Sequence, residues 1–430
     1  MKRKVIKQIL DLFDDNSIIF LRGGDKQARQ EGDLDFLVPL GKSNHVCNII
    51  VKYFRGCGWK LLSFRDIGYL STFTIVLKSE NETVAIKIDI FNGLSWRALG
   101  DMQVDDKFFH QILPEINNTE SRLRLVSAIN FLHKTMYAGK LSKRDIARIN
   151  CEWHDVNNLV TRLDWKVDES IFPSGAGFFN KWSLRFQSSN AHSIFDFIRW
   201  LFYLFIKSFE SRIGYKWGSG LSICISGMDG SGKSTQFDEI LTWYKKSGME
   251  LPYFIHFVPS FIPLPHQVFK RKKTVNNYTA PYTEVPVKNK LSIVIRKCWY
   301  LITFALSKLY VLSLTKTGGV VLSDRSFIDF TADLERVKIP HVEFKPFFKR
   351  ILTLKGLNLY LDTNPISAVS RKGELTIERA NLLKKRYLLT INQVSGIRID
   401  GELSQTEVSI NILNKIDQHF YKELNKKYKN

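Results

Sequence analysis

Acidic residues are in short supply in this 430-residue chain, where 42 Asp and Glu face 63 Lys and Arg for a formal charge of +21. The deficit points to an anionic partner, whether nucleic acid, an acidic membrane surface or a phosphorylated substrate, without choosing among them. Cysteine is sparse too. Cys47, Cys57, Cys151, Cys224 and Cys298 are scattered, odd in number and without a CxxC pair. That distribution argues against a disulfide framework and fits a reducing, cytoplasmic setting. No stretch reaches the ~20 consecutive apolar residues of a membrane span. Behind Met1-Lys2-Arg3-Lys4 no apolar signal region follows, because Asp11, Asp14 and Asp15 arrive first. There is no HExxH, no Cys/His cluster at zinc spacing and no Gly-x-Ser-x-Gly elbow.

What is present is most specific at residues 227–235, Gly-Met-Asp-Gly-Ser-Gly-Lys-Ser-Thr, directly after the apolar run Leu221–Ser226. This is the pattern of a phosphate-binding loop between a buried strand and a helix, expected over 235–243. Gly227, Gly230 and Gly232 let the backbone curl so that the N–H groups of the loop, from Asp229 and Ser231 through Thr235, point at phosphate oxygens. Lys233 supplies a cation for the β- and γ-phosphates, and the Ser234 hydroxyl suits Mg²⁺. ATP and Mg²⁺ are the cofactors this implies.

The chain divides by pattern into residues 1–100, with short strands and turns, residues 101–215, mainly helical, and residues 216–430, alternating strand and helix. The expected fold is α/β and multidomain: an N-terminal α+β domain, a helical middle region, and a C-terminal parallel sheet with helices on both faces. Candidate strands in the last region are 221–226, 253–258, 319–323, 357–361 and 396–399, and Ser404-Gln405-Thr406-Glu407 reads as a capping box. Helical periodicity is read over 123–132 and 145–163. The aromatic-rich segment 194–206 and the apolar segment 298–314 read as packed helices, with peripheral contact to the inner face of the membrane left open by flanking cations.

After the apolar Val320-Val321-Leu322 come Asp324 and Arg325. A carboxylate at the carboxyl end of a neighbouring parallel strand can reach Mg²⁺ or an acceptor, and the guanidinium can fork onto a phosphate. Arg371, Lys372 and Arg379 lie in a basic stretch that suits a lid. Together with Leu361-Asp362, Glu374, Arg386-Tyr387 and Ile399-Asp400-Gly401, these landmarks resemble the thymidylate kinase family over roughly residues 219–420. The resemblance implies ATP phosphates and Mg²⁺ at Lys233 and Ser234, the acceptor phosphate at Asp324 and Arg325, and a lid over 371–379. Two features depart from the family: Ser326 stands where an aromatic follows Asp-Arg, and His256-Phe257-Val258-Pro259-Ser260 replaces the Arg-Glu-Pro-Gly-Gly that grips thymidylate. ATP use carries over; thymidylate as acceptor does not.

A second constellation comprises Leu21-Arg22-Gly23-Gly24, Asp33-Leu34-Asp35-Phe36 and Ile86-Lys87-Ile88-Asp89-Ile90. Strand alternation puts Asp33 and Asp35 on one face, and Asp89 with Lys87 opposite Val84, Ile86 and Ile88. Three converging carboxylates repel unless cations lie between them, and such a trio can hold Mg²⁺ for attack on an α-phosphate, with Gly23 and Gly24 admitting the triphosphate. The pattern resembles the nucleotidyltransferase fold of the polymerase β superfamily over residues 17 to about 100. Chains that pair the two modules resemble bacterial proteins accompanying surface-polysaccharide or cell-envelope synthesis. That resemblance implies a nucleoside triphosphate donor and an anionic acceptor: a sugar phosphate, a lipid-linked glycan or a nucleoside monophosphate. A nucleic-acid end-modifying or defence enzyme, and a non-catalytic nucleotide switch, are the competing readings. No aromatic–basic RNA-binding signature or helix-turn-helix supports the former.

Overall fold

A computed structural model describes residues 2–13, 18–22, 33–39, 41–66, 70–79, 82–92, 119–175 (without 139, 148 and 163–165), 198, 202, 220–256, 259 and 289–427 (without 338, 341 and 342). Gly23, Gly24, Phe257, Val258 and almost all of the 194–206 segment lie outside them. The chain divides into two compact units, one of Met1–Gly218, Lys246–Met249 and Asp417–Asn430, the other of Ser219–Lys245 and Glu250–Ile416.

The first unit contains α1 (Lys2–Asp11), β1 (Ile19–Arg22), β2 (Leu34–Val38), α2 (Ser43–Gly56), β3 (Lys60–Asp66), β4 (Leu70–Lys78) and β5 (Thr83–Asn92). After these come α3 (Thr119–Ala138), α4 (Lys143–Ile146) and α5 (Trp153–Arg162). Its sheet has the order β1-β2-β5-β4-β3, with only the β2–β5 pair parallel. Two helices were not expected before residue 100. The signal for α2 was there: Val46, Cys47, Ile50, Val51 and Phe54 recur at helical spacing and all are buried. The helix expected over 145–163 is instead two helices. The chain turns between them, where the Asn150 N–H donates to Ser127 Oγ and the Glu152 N–H to Asp155 Oδ2. The helices α3 and α5 share one core with the sheet, Leu21, Leu37 and Phe91 packing with Ile129, Leu132, Val156 and Leu159. Among the described residues, then, α3 and α5 pack on the same core as the sheet of the first unit.

The second unit begins with β6 (Leu221–Ser226), whose six residues are all buried as befits a central parallel strand. It continues through α6 (Lys233–Ser247, whose last two residues belong to the first unit), β7 (Tyr253–His256), α7 (Lys290–Lys316), β8 (Val320–Asp324), α8 (Phe327–Ala332), α9 (Pro346–Leu352), β9 (Leu357–Asp362), α10 (Pro365–Lys372), α11 (Ile377–Gln393), β10 (Ile397–Asp400) and α12 (Gln405–Lys427, which from Asp417 on belongs to the first unit). The sheet is wholly parallel in the order β10-β9-β6-β8-β7. From β6 the chain runs outward to β7 and back to β8, then crosses β6 to reach β9. Strand order thus reverses at β6, and a crevice opens outside the carboxyl ends at such a switch point. The strand expected over 221–226 appears with those bounds, those expected over 319–323, 357–361 and 396–399 appear with boundaries shifted by one residue, and the described part of 253–258 forms β7. The capping box forms as the spacing suggests: the Ser404 N–H donates to Glu407 Oε2 at 2.9 Å and the Glu407 N–H to Ser404 Oγ at 3.3 Å.

Candidate active sites

The loop 227–232 leaves β6 at the switch point, and α6 starts at Lys233, so the N–H groups of its first turn face the carboxyl ends of the sheet. Gly230 has no alternative residue: its φ is +84°, and a Cβ there would collide with the backbone carbonyl oxygen of Ala368. Lys233 is buried, its Nζ donating to the carbonyls of Gly227 (2.7 Å) and Met228 (2.8 Å). Burial pulls its pKa down, Asp229 opposing and Arg325 reinforcing that pull. Ser234 and Thr235 are exposed on the first turn of the helix, with Ser231 buried in the loop.

Asp229 is the electrostatic anchor of the loop. Its carboxylate receives Arg325 Nη2 at 2.8 Å and Arg336 Nη1. Burial alone would raise its pKa; the charges of Arg325, Lys233 and Arg336 outweigh that and hold it well below the usual carboxylate range. Arg325 adopts φ +71°, a left-handed conformation a bulky side chain enters only under constraint. The bond to Asp229 supplies that constraint and turns the guanidinium toward the loop.

Asp324 ends β8 in register with His256 at the end of β7, and His256 Nδ1 lies 2.9 Å from Asp324 Oδ2. Burial raises the Asp324 pKa, but the bond to His256 and the charges of Lys233 and Arg325 leave it lowered. The other oxygen, Oδ1, is buried without a hydrogen-bond partner among the described residues, as is Ser231 Oγ. Orphaned polar atoms in a native fold need an explanation. A divalent cation suits the carboxylate oxygen, and a phosphate suits the hydroxyl, so the donor set fits a magnesium–triphosphate complex.

The departure at Ser326 has a structural reason. Ser326 caps α8, and with Asp329 it forms a reciprocal capping box, Ile328 N–H to Ser326 Oγ at 3.1 Å and Ser326 N–H to Asp329 Oδ2 at 2.8 Å. Asp329, not foreseen as a site residue, ties the loop to two helices. It accepts from Ser226 Oγ at 2.7 Å and from the Tyr387 hydroxyl at 3.0 Å. Burial and the Asp329 charge push the Tyr387 pKa far up, keeping that hydroxyl a donor. The signal was the Ser-x-x-Asp spacing at 326–329.

The lid landmarks do not all converge. Arg379 reaches Glu335 at 2.6 Å and Asp333 at 3.8 Å, and Arg386 reaches Glu335 at 3.5 Å. Glu335 and Arg336 sit on the single helical turn 334–337, which therefore ties the lid's base to Asp229. Arg371, in the last turn of α10, is exposed and takes part in no ion pair among the described residues. Asp362, the last residue of β9, receives Lys384 at 2.9 Å and Arg398 at 2.5 Å.

In the first unit the structure brings Asp33, Asp35 and Asp89 together, one carboxylate oxygen from each lying within 4.8 Å of the others. Strand pairing causes this. Asp35 and Asp89 are opposite each other across the parallel β2–β5 pair, and Thr72 of β4 stands across from Asp89, donating to it at 2.7 Å. Lys87, two residues before Asp89 on the same face, donates to Asp33 at 2.6 Å and to Asp89 at 3.0 Å. Burial lifts the Asp89 pKa above its ordinary value, Lys87 and Thr72 opposing and Asp33 adding to it. Burial would lower the Lys87 pKa, but the two carboxylates hold it raised. The oxygens are close enough to share a divalent cation, which would compete with the Lys87 ammonium for them.

No family model and no curated protein matches the chain. Among solved structures, a deoxyadenosine kinase from M. mycoides with bound dATP is similar over 45% of this chain and 100% of its own, at 20% identity and TM-score 0.27. A thymidylate kinase from Candida albicans is similar over 49% of this chain and 93% of its own, at 16% identity and TM-score 0.30. At these scores neither similarity bears on what this chain does, and the geometry of the site carries the functional reading.

Proposed function

We propose that the second unit transfers the γ-phosphoryl group of ATP to an anionic acceptor, a sugar phosphate, lipid-linked glycan or nucleoside monophosphate. One observation carries this reading. The phosphate loop sits at the switch point of a parallel sheet, with buried Lys233 on one side and Asp324 and Arg325 at the end of the neighbouring strand. Lys233 would hold the β- and γ-phosphates, the loop N–H groups would cradle them, and Ser234 with Asp324 would hold Mg²⁺. When bound, Mg²⁺ supplies charge neutralisation between the phosphates. Arg325, fixed by Asp229, would fork onto a phosphate oxygen, and Arg371 would bring a further cation over the site. In the first unit Asp33, Asp35 and Asp89 would hold the cation of a nucleotidyl transfer. A cytoplasmic role in envelope-polysaccharide synthesis, with peripheral membrane contact, fits the +21 charge.

Mass spectrometry of products from ATP, CTP, GTP and UTP against nucleoside monophosphate and sugar-phosphate panels tests this. A phosphorylated acceptor is expected, its yield falling ~10²–10³-fold in Lys233→Ala, the scale on which preorganised transition-state contacts act. Free phosphate as the sole product of the unaltered protein on every panel would refute the transfer.

A further inference from the structure

Asp324 has a parallel strand on each side. It is in register with Ile225 of β6, two residues before the phosphate loop opens at Gly227, and with His256 at the end of β7. The two oxygens of its carboxylate have different fates. His256 Nδ1 lies 2.9 Å from Oδ2, whereas Oδ1 is buried with no hydrogen-bond partner among the described residues. Because the oxygens of a carboxylate diverge, holding Oδ2 toward β7 leaves Oδ1 turned away from it.

Three points of chemistry give that asymmetry a use. The first is the direction of the bond. Against the effect of burial, the His256 bond and the charges of Lys233 and Arg325 hold the Asp324 pKa below its ordinary value. The carboxylate is therefore ionised at neutral pH and only accepts, so Nδ1 carries the hydrogen in the neutral ring and the charged one alike. The second is torsion. The χ2 angle of an aspartate is broad and has no sharp preference of its own, so one fixed donor decides which oxygen faces which way. The third is exposure. The His256 side chain is 65% accessible, and a pair so exposed adds little to stability. What it can do is set an orientation.

We infer that His256 is a positioning residue, which holds Asp324 Oδ2 from the β7 side and so presents Oδ1 to the divalent cation of the nucleotide complex. This rests on the phosphoryl-transfer reading, which makes Asp324 a magnesium ligand. It also gives a task to the first residue of the segment that departs from the thymidylate kinase pattern, and that task is on the nucleotide side of the site. Outer-shell donors to a ligating side chain govern metal affinity by ~10–100-fold.

The atom at issue is Nδ1, which asparagine reproduces: its amide nitrogen stands as many bonds from the backbone, whereas that of glutamine stands one bond further out. Binding of a fluorescent, non-hydrolysable ATP analogue is titrated with Mg²⁺ on the full chain carrying Asp89→Asn, so that the carboxylate trio lacks a ligand. Adding His256→Ala should raise the Mg²⁺ midpoint at least ~10-fold while leaving the affinity in EDTA and the circular dichroism spectrum unchanged. His256→Asn should bring the midpoint back to within about threefold of the parent, and His256→Gln should behave as the alanine variant does. An alanine variant with the parental midpoint, or asparagine and glutamine variants that match each other, overturns the inference and leaves the kinase reading standing. Equal losses in EDTA and in Mg²⁺ would assign His256 to the nucleotide itself, which also overturns it. A parent whose affinity ignores Mg²⁺ overturns the phosphoryl-transfer reading, and the inference with it.

Discussion

Asp229 shows at the residue scale how the loop is held before any phosphate arrives. Its side chain is 5% exposed and carries the only carboxylate that Arg325 and Arg336 share among the described ion pairs. Removing one partner from a buried charge cluster strands the others, so Asp229→Asn is expected to cost roughly 3 kcal/mol in urea denaturation at pH 7. The pH dependence has a definite sign. The folded-state pKa is depressed below the ordinary 3.8, so the folded chain releases this proton more readily than the unfolded one. The stabilisation is complete above about pH 5 and is lost as pH falls through 3.8 toward the depressed value. The gap between wild type and Asp229→Asn should therefore be constant from pH 7 to 5 and narrow by pH 3. A gap that widened on acidification would mean the two arginines are not what Asp229 stabilises.

At the scale of elements, the junction of β6, the loop and α10 is the tightest constraint on the site. Gly230 is forced both by its positive φ and by the Ala368 carbonyl of α10. Gly230→Ala combines a left-handed alanine with a backbone collision, and about 3 kcal/mol of destabilisation is expected. ATP binding by isothermal calorimetry should fall with it, since the loop must shift away from α10. Gly232, also at positive φ but facing open space, should tolerate alanine with a smaller loss. The strands and this loop were legible in the sequence because both carry local signals: apolar runs of five or six residues, and glycines at fixed offsets from a lysine. The ion pairs from Arg325 and Arg336 to Asp229 were not, since residues 96 and 107 positions away meet only through the order of the sheet. Nor did His256 announce its bond to Asp324, which arises from strand register across β7 and β8. The break between α4 and α5 was hidden for a related reason: Ser127, which receives the Asn150 N–H, belongs to another helix. Asp329 is the intermediate case, signalled by its capping spacing but not by its tie to Tyr387.

For the whole molecule, the proposed function assigns the two sites to different units. The carboxylate trio belongs to one compact unit and the phosphate loop to the other, each assembled from its own sheet and core. A substitution in one unit that leaves its core intact is expected to act on that unit's own site. Asp89→Asn is thus expected to weaken Mn²⁺ binding in the absence of nucleotide by at least ~10-fold, as loss of a carboxylate ligand does. ATP turnover by the same variant should stay within about twofold of wild type. Lys233→Ala should do the converse, lowering turnover ~10²–10³-fold while leaving nucleotide-free Mn²⁺ binding, followed by electron paramagnetic resonance, unchanged. Reciprocal loss, in which either variant impaired both readouts without unfolding, would show a coupling free energy between the units and would replace two independent sites by one linked system.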